Sequence, residues 1–579
     1  MSISFLNFIL KLLFCFLACH SGWLYSNQLH VKINDPIYEY LDRHATNGIL
    51  LDYINGTLPL SRRYIADMLI LLEEKKDKLS PIDIKFLYEY LADYSYELKD
   101  EPYFQLRESE TTYHPFLSSL KLKTAMRDLF AYTEIQQDHH LLVYEKGNNF
   151  VWLDVGGMIR NEIQNSDAPL IYSYRYSLST ILSENIVAYS EGDLYEMLYN
   201  KDSEKMPSEF RGGFSGDVRD GIYGYKKARA FDYSYGYIQH SSNIGNVMLT
   251  IEPLIWGNAI NPIVLSNNVS PFPAFIWTKT IGNSRFTFLH GSISGVNQDV
   301  LLSSDIDYAA TYNVGNIEKY LVSHRWEIIL SNKFHGTFTE MLVYGARGPE
   351  LSYLIPTTLL WSVQHNTNNY DNILWFIESE YFPFNGFKFY NSIMIDELTI
   401  SKMFDDYMNN KWIIQAGTQY VYNILNRPSS LNIEFTASRP WVYTHKFPEV
   451  GTYTHNSRCL GFKYGPNSQL LSFNNNWWIN TRNQFNISYQ RLKFGEETEA
   501  DINDGYDFGN DPNHNYHLAN PKYENSTGWL IGDIEIVQTV RFLWEYKLSN
   551  IIDLEVSYSL IKGMNEPVNA VSIQMDIDY

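Results

Sequence analysis

The stretch V-S-I-Q-M-D-I-D-Y, Val571 to Tyr579, decides the fold. Val571, Ile573, Met575, Ile577 and Tyr579 share one face of an extended strand, and Ser572, Gln574, Asp576 and Asp578 share the other. A strand this regular at the end of a chain leaves an open edge that must be paired, because an unpaired edge templates aggregation. The simplest partner is the first strand of a closed barrel.

Working outward, the composition fits that reading. A chain of 579 residues is long for one soluble domain, whereas a barrel grows without thickening its core. Aromatics reach 16%, with 45 Tyr and 13 Trp, yet only 45% of residues are hydrophobic. That mixture suits a polar lumen with aromatic girdles at two membrane interfaces, and equally a protein rich in Tyr and Trp platforms for carbohydrate. The net charge of −21 argues against nucleic acid and does not favour an anionic lipid surface. Of three cysteines, Cys15 and Cys19 fall in a leader-like segment. Cys459 alone would then remain, and no disulfide framework or Cys-based metal site follows.

Residues 1–21 read as a signal peptide: the apolar run Leu12 to Ala18 follows Lys11, and cleavage after Ser21 fits the small-x-small rule. An uncleaved anchor and lipidation at Cys19 are the alternatives, the latter ranked lower because Phe16, Leu17 and Ala18 make a poor lipobox. No later run is apolar for long enough to cross a membrane as a helix, so a membrane-spanning form has to be a β-barrel.

Residues 22–110 form a helical region. Asp35-Pro36 opens one helix that Gly48 stops, Ser61 opens a second over Arg62 to Lys76, and Ser80-Pro81 opens a third. Three short amphipathic helices cannot bury their stripes alone and are expected to dock on something larger. Residues 111–579 form the barrel. Period-two alternation begins near Ser118 and includes Phe231, Tyr233, Tyr235 and Tyr237. Near the end, Ile534, Ile536, Val540, Phe542, Trp544 and Tyr546 oppose Asp533, Glu535, Thr539, Arg541, Glu545 and Lys547, while Ile552 to Leu560 alternate with Asp553, Glu555, Ser557 and Ser559. A one-residue slip would turn these charges into lipid, so register is strongly specified.

Loop lengths orient the barrel. Ser549-Asn550 is a short periplasmic turn, the connection Ile561 to Asn569 faces outward, and the last strand descends to the periplasm. The outward loop Phe494 to Ser526 carries Glu496, Glu497, Glu499, Asp501, Asp504, Asp507 and Asp511, and is read as solvated. An even strand count places the helices at the periplasmic mouth, and the length allows sixteen to eighteen strands of about ten residues.

Several segments carry a resemblance: E-M-L-V-Y-G-A-R-G-P-E-L-S-Y-L-I-P (Glu340 to Pro356), Gln364-His365-Asn366, Asp371-Asn372, W-G-N-A-I-N-P-I-V-L-S-N-N-V-S-P-F-P (Trp256 to Pro273), R-P-W-V-Y-T-H (Arg439 to His445) and the helical Pro59 to Leu72. Taken in order over nearly the whole chain, they resemble the Wzi capsule-assembly family. The resemblance implies a mainly β, transmembrane antiparallel barrel of about 18 strands, with a small N-terminal helical bundle at the periplasmic mouth. It further implies an outer-membrane location in a Gram-negative-type bacterium and a non-enzymatic role in holding capsular polysaccharide or exopolysaccharide.

Sugars are held by aromatic faces and fixed hydrogen-bonding side chains, with cations added for acidic polymers. Arg347, Tyr353, His365, Asn366, Asp371, Asn372, Arg439, Tyr443 and His445 have the right chemistry for polysaccharide. Beside that stands the structural alternative, in which Arg347 and Glu350 are a lumenal ion pair and Tyr353 and Tyr443 belong to the girdle. The partners expected are surface polysaccharide, the outer-membrane bilayer and the barrel-assembly machinery that recognises a terminal aromatic strand. No nucleic acid, cofactor or metal is expected. A porin or sugar channel is the second reading. A hydrolase built on His290, Ser292 and Asn297 is the third, since such triples arise by chance in a chain this rich in Ser, Asn and His. Asp501 to Asp507 fails the EF-hand pattern, with Gly505 one place early and no closing Glu. The acidic loop disfavours an acidic glycan close by unless divalent cations bridge it.

Overall fold

The computed structural model describes residues 29–98, 132, 140–146, 149–164, 168–183, 185–200, 214–215, 219–295, 317–497, 504–514, 521–563 and 567–578. Eighteen antiparallel strands close into one barrel. In chain order these are β1 (Asn149–Gln164), β2 (Leu170–Ser183), β3 (Ile186–Tyr199), β4 (Lys227–Ser242), β5 (Gly245–Ile251), β6 (Ala274–Ile281), β7 (Ser284–Gly295), β8 (Ile317–Ser331) and β9 (Phe334–Gly345). They continue with β10 (Asn372–Phe384), β11 (Phe387–Glu397), β12 (Lys411–Ile424), β13 (Arg427–Ser438), β14 (Ser468–Asn480), β15 (Asn483–Glu496), β16 (Asp533–Lys547), β17 (Ile552–Lys562) and β18 (Val568–Asp578). The open edge of the last strand is closed by the first: Val571 lies opposite Ile163, Ile573 opposite Asn161 and Ile577 opposite Gly157. Among the described residues the barrel's own pairing begins at the short strand Leu142–Lys146, which folds back on β1. Tyr579, the leader and 118–131, the expected start of the period-two pattern, lie outside the described residues.

Connections alternate strictly between short and long. Asn243-Ile244, Gly282-Asn283, Asn332-Lys333, Asn385-Gly386, Leu425-Asn426 and Thr481-Arg482 each join two strands at one end, and every long connection lies at the other. Tight hairpin turns need positive φ. Gly386 adopts it at 86° without a Cβ penalty, whereas Leu425 and Asn426 take 52° and 61° at an exposed tip.

Outward faces are apolar along much of the wall, with Ile159, Tyr174, Leu194, Ile238, Trp326, Phe338, Ile377, Phe389, Phe485, Phe542, Tyr558 and Ile573 all exposed. The alternate positions face inward and hold paired charges: Arg285 Nε donates to Glu327 Oε2 at 2.6 Å, Arg325 to Glu378, and Lys388 Nζ to Asp42 Oδ1 at 2.7 Å. The faces read on β16 and β17 are those observed.

Helices α1 (Ile37–Thr46), α2 (Arg62–Glu74) and α3 (Pro81–Asp93) pack into the short-turn end. Ser61 and Ser80 are the N-caps, accepting from Tyr64 N at 3.3 Å and Asp83 N at 3.1 Å. Asp35 accepts from Ile37 N at 2.9 Å, the bond expected of a cap ahead of Pro36, whose backbone is already helical although the regular helix is counted from Ile37. The second helix stops at Glu74, two residues before Lys76, where the chain tightens into a 3₁₀ turn over Lys76–Lys78. Their apolar stripes, including Leu41, Ile65, Leu69, Leu72 and Leu87, make one core. Polar edges fasten that core to the wall: Gln419 Nε2 donates to Asp42 Oδ2 at 2.9 Å, Asn476 donates to Glu39, and the Arg43 guanidinium lies 4.1 Å above Trp478.

Candidate functional site

Two long connections from the other end turn into the lumen. In 252–273, Trp256 is buried and Gly257 N donates to Gly56 O at 2.8 Å, so this loop descends far enough to meet the helical region. In 439–467, Tyr443 Oη donates to Ile263 O at 3.1 Å and accepts from Phe462 N at 3.0 Å. Val264, Leu265, Phe272, Val442, Tyr453, Leu460 and Phe462 then form a dry core with inward wall residues such as Leu321, Met341, Leu374, Phe376 and Leu470. One side of the lumen is filled. Trp441 and Tyr443 hold φ of 58° and 68°, rare for bulky residues, and tertiary contacts fix them: Trp441 N donates to Gly509 O at 3.0 Å and Tyr443 N to Asp396 Oδ2 at 2.7 Å.

Space remains on the opposite side. Beneath 252–273, a chamber of about 810 Å³ lies between the helices and the wall of β1 to β4, β16 and β18. Its charges are largely paired: Lys32 with Glu191 at 2.7 Å, Arg175 with Asp193 at 3.3 Å and with Asp578 at 3.2 Å, and His30 with Glu252 at 3.0 Å. Above the loop lies a second chamber of about 420 Å³, within the usual ~300–1,000 Å³ of ligand sites. Tyr195, Tyr233 and Tyr235 line its wall side, Asn261, Asn267 and Asn268 come from the loop, and Arg458 and Lys463 complete it; among the described residues no carboxylate contributes. Tyr195 and Tyr233 meet edge to face at 5.9 Å, and Tyr233 and Tyr235 stack at 5.9 Å. The alternation in β4 therefore sends its aromatics inward, with Asp232 and Ser234 exposed outside. Alternation alone says that two faces differ; the apolar-out rule would have turned these tyrosines to lipid. A third hollow, about 830 Å³, opens beside the acidic loop between Lys463, Tyr464, Glu496, Glu497, Asp507, Asp511 and His514.

The nine residues singled out from the sequence do not converge. Asn372, Arg439, Tyr443 and His445 belong to the inward loops and the adjoining wall: Asn372 Nδ2 donates to Gly451 O at 2.8 Å, and Arg439 Nη2 to Tyr407 O at 3.3 Å. Burial pushes His445 down to about 4, so it is neutral. Arg347, Tyr353, His365, Asn366 and Asp371 lie on the opposite side of the wall, in a lobe that folds outward. There Asp371 Oδ2 accepts from Arg347 Nη2 at 2.6 Å and from Tyr353 Oη at 2.6 Å, and Tyr353 is fully buried. Arg347 and Glu350 pair at 3.8 Å outside the lumen, and Tyr443 sits in the dry plug away from any interfacial girdle. His365 and Asn366 are exposed on the lobe, with Trp361 O accepting from His365 Nδ1 at 2.7 Å.

His290 faces outward, its Nε2 2.9 Å from Tyr344 Oη, while Ser292 N donates to Pro273 O at 2.8 Å and Asn297 is outside the described residues. The acidic loop, which begins after Glu496, is not simply solvated. Asp507 and Phe508 are buried, and Phe508 packs with Trp441 and Ile531. His514 Nδ1 donates to Asp507 Oδ2 at 2.7 Å, a bond that lifts its pKa to about 9. Among the described residues no group of His, Cys, Asp and Glu could hold a metal ion, and no helix is long and apolar enough to cross a membrane.

No family model matches the chain, and no curated protein matches it in sequence. Among solved structures it is similar to Wzi, an outer-membrane protein involved in group 1 capsule assembly in Escherichia coli and a carbohydrate-binding β-barrel. The TM-score is 0.51 at 12% identity, over 93% of this chain and 98% of that one. This chain has the fold of an outer-membrane β-barrel. Overlap with OprD of Pseudomonas aeruginosa (TM-score 0.39, 9% identity, 74% of this chain and 95% of that one) is too slight to bear on the argument.

Proposed function

We propose that this barrel sits in the outer membrane of a Gram-negative-type bacterium and holds capsular polysaccharide or exopolysaccharide at its long-loop end without altering it chemically. One observation carries the reading: the upper chamber combines three tyrosine faces, three asparagine amides and two cations, the chemistry that holds a sugar chain by stacking and hydrogen bonds. No carboxylate lines that chamber among the described residues, and its two cations suit acidic as well as neutral saccharides. The acidic residues flank the neighbouring hollow, so bridging by divalent cations concerns that rim only. The test is retention of isolated cell-surface polysaccharide by the purified barrel, compared with Tyr233→Ala/Tyr235→Ala. Loss of retention with normal folding is expected; equal retention would sink this placement of the site.

A diffusion porin is the second reading. The two chambers share Tyr195, Tyr235, Pro253 and Asn267, so polar space continues along one wall past the loop 252–273. Planar-bilayer conductance separates the readings: an anchor shows negligible current, and a steady open pore would favour the porin.

A further inference from the structure

The outward lobe, 346–371, rests on the outside of the barrel wall. Its helix α4 (Leu360–Thr367) and the turn Leu351–Leu354 cover Phe288, Tyr320, Val322, Leu342 and Tyr344. These are outward positions. They share faces with Trp326 on β8 and Phe338 on β9, both exposed, while the intervening Leu321, Met341 and Val343 belong to the lumenal core.

Depth follows from strand length. A tilted strand crosses the hydrocarbon in about 9–11 residues. Counted from Ser331 at the short-turn end of β8, the crossing ends near Leu321; counted from Phe334 on β9, it ends near Val343. The lobe is attached below those levels. Glu340 on β9 accepts from Leu360 N at 2.8 Å, Trp361 N at 3.1 Å and Trp375 Nε1 at 3.2 Å. A bare carboxylate there would face lipid at a cost; the lobe covers it, leaving it 1% exposed, and satisfies it with three donors. Much of the lobe's outer surface is itself apolar: Leu351, Ile355, Leu359, Trp361 and Tyr370 are 45–71% exposed, with Thr357 and the polar run His365 to Asn368 exposed beside them. It carries no Lys, and its one Arg is engaged by Asp371.

We infer that this lobe is a membrane-interfacial foot, with Leu359 and Trp361 seated among the lipids of the outer leaflet at the acyl and headgroup boundary. Lipid is the occupant because the apolar surface is continuous with the lipid-facing wall below it and lies within the height that the strands need to cross. Trp and Tyr with an apolar body and a polar tip favour that boundary, and His365, its ring 4.4 Å from that of Trp361 on the same face of α4, sets with exposed Asn366 and Thr367 a polar end beside the apolar surface, suited to headgroups.

The test uses the full chain in lipid vesicles, with its three cysteines replaced by Ser and single nitroxide labels at Leu359→Cys, Trp361→Cys, Ile377→Cys and Phe404→Cys. Ile377 marks the lipid-facing wall and Phe404 an exposed loop. Labels at 359 and 361 should match 377, with high accessibility to oxygen and low accessibility to a nickel complex. Accessibility matching 404 would overturn the proposal. Exclusion of both reagents with spin–spin broadening would also overturn it, by showing contact with a second copy. Heat modifiability checks that each variant folds. Independently, vesicles of brominated lipid should quench the unsubstituted chain more than Trp361→Phe, and equal quenching would count against lipid contact.

Discussion

Arg43 tests how the helical region is held. It is 1% exposed, its Nη2 donates to Asp83 Oδ1 at 2.8 Å, and its guanidinium caps Trp478 on β14. Burial, the largest influence, would by itself raise the pKa of Asp83, but the charge of Arg43, with His44 and the Ser80 hydroxyl beside it, holds the carboxyl below its usual range. His44, 3.8 Å away, is neutral beside Arg43, because burial first and the charge of Arg43 after it drive its pKa down to about 3. Arg43→Ala therefore strands a buried carboxylate, which costs about 3–5 kcal/mol when one partner of a buried pair is removed. Read as amide exchange in α1 to α3, that is roughly a 10²- to 10⁴-fold rise in opening. Exchange in β15 to β18 should not change. The double variant Arg43→Ala/Asp83→Ala should recover much of the loss, since no charge is left unpaired. A rise below tenfold in the single variant, or no recovery in the double, would refute the reasoning.

Ile573 and Gln574 are neighbours on opposite faces at the middle of β18. Ile573→Lys should lower stability in denaturant titrations from lipid by about 2–4 kcal/mol, whereas Gln574→Lys, facing the polar chamber, should fall within about 0.5 kcal/mol; equal effects would mean that the faces are misassigned. His514 sets a pH window for the acidic loop. Its folded pKa, about 9, lies above the ordinary 6.5, so its contribution is complete below 6.5 and disappears as pH rises through 9. Proteolytic cleavage within 504–514 should therefore increase several-fold between pH 7 and pH 10, with Asp511 and Glu497 adding to the repulsion on Asp507. In His514→Gln, cleavage should be high at both pH values, and a flat profile in the unsubstituted chain would reject a stabilising role for the His514–Asp507 bond.

The sequence by itself determined the wall. Period-two alternation encodes a face at every residue, because a one-residue slip reverses it, and so β16 to β18 were legible in closure and in which face turns outward. Ser61 and Ser80 likewise announced two helices through local cap chemistry. What only the tertiary structure decided is where the long loops go. Tyr443 finds Ile263, and Glu340 finds Leu360, through contacts that no local pattern records. For that reason nine residues with the chemistry of one site separate to the two sides of a wall. Tyr320, Val322, Leu342 and Tyr344, apolar and outward by alternation, prove to be covered by the chain's own lobe. Tyr233 and Tyr235, apolar by the same count, turn inward to line a chamber. Local periodicity distinguishes the two faces of a strand; what covers each face depends on segments far away in sequence.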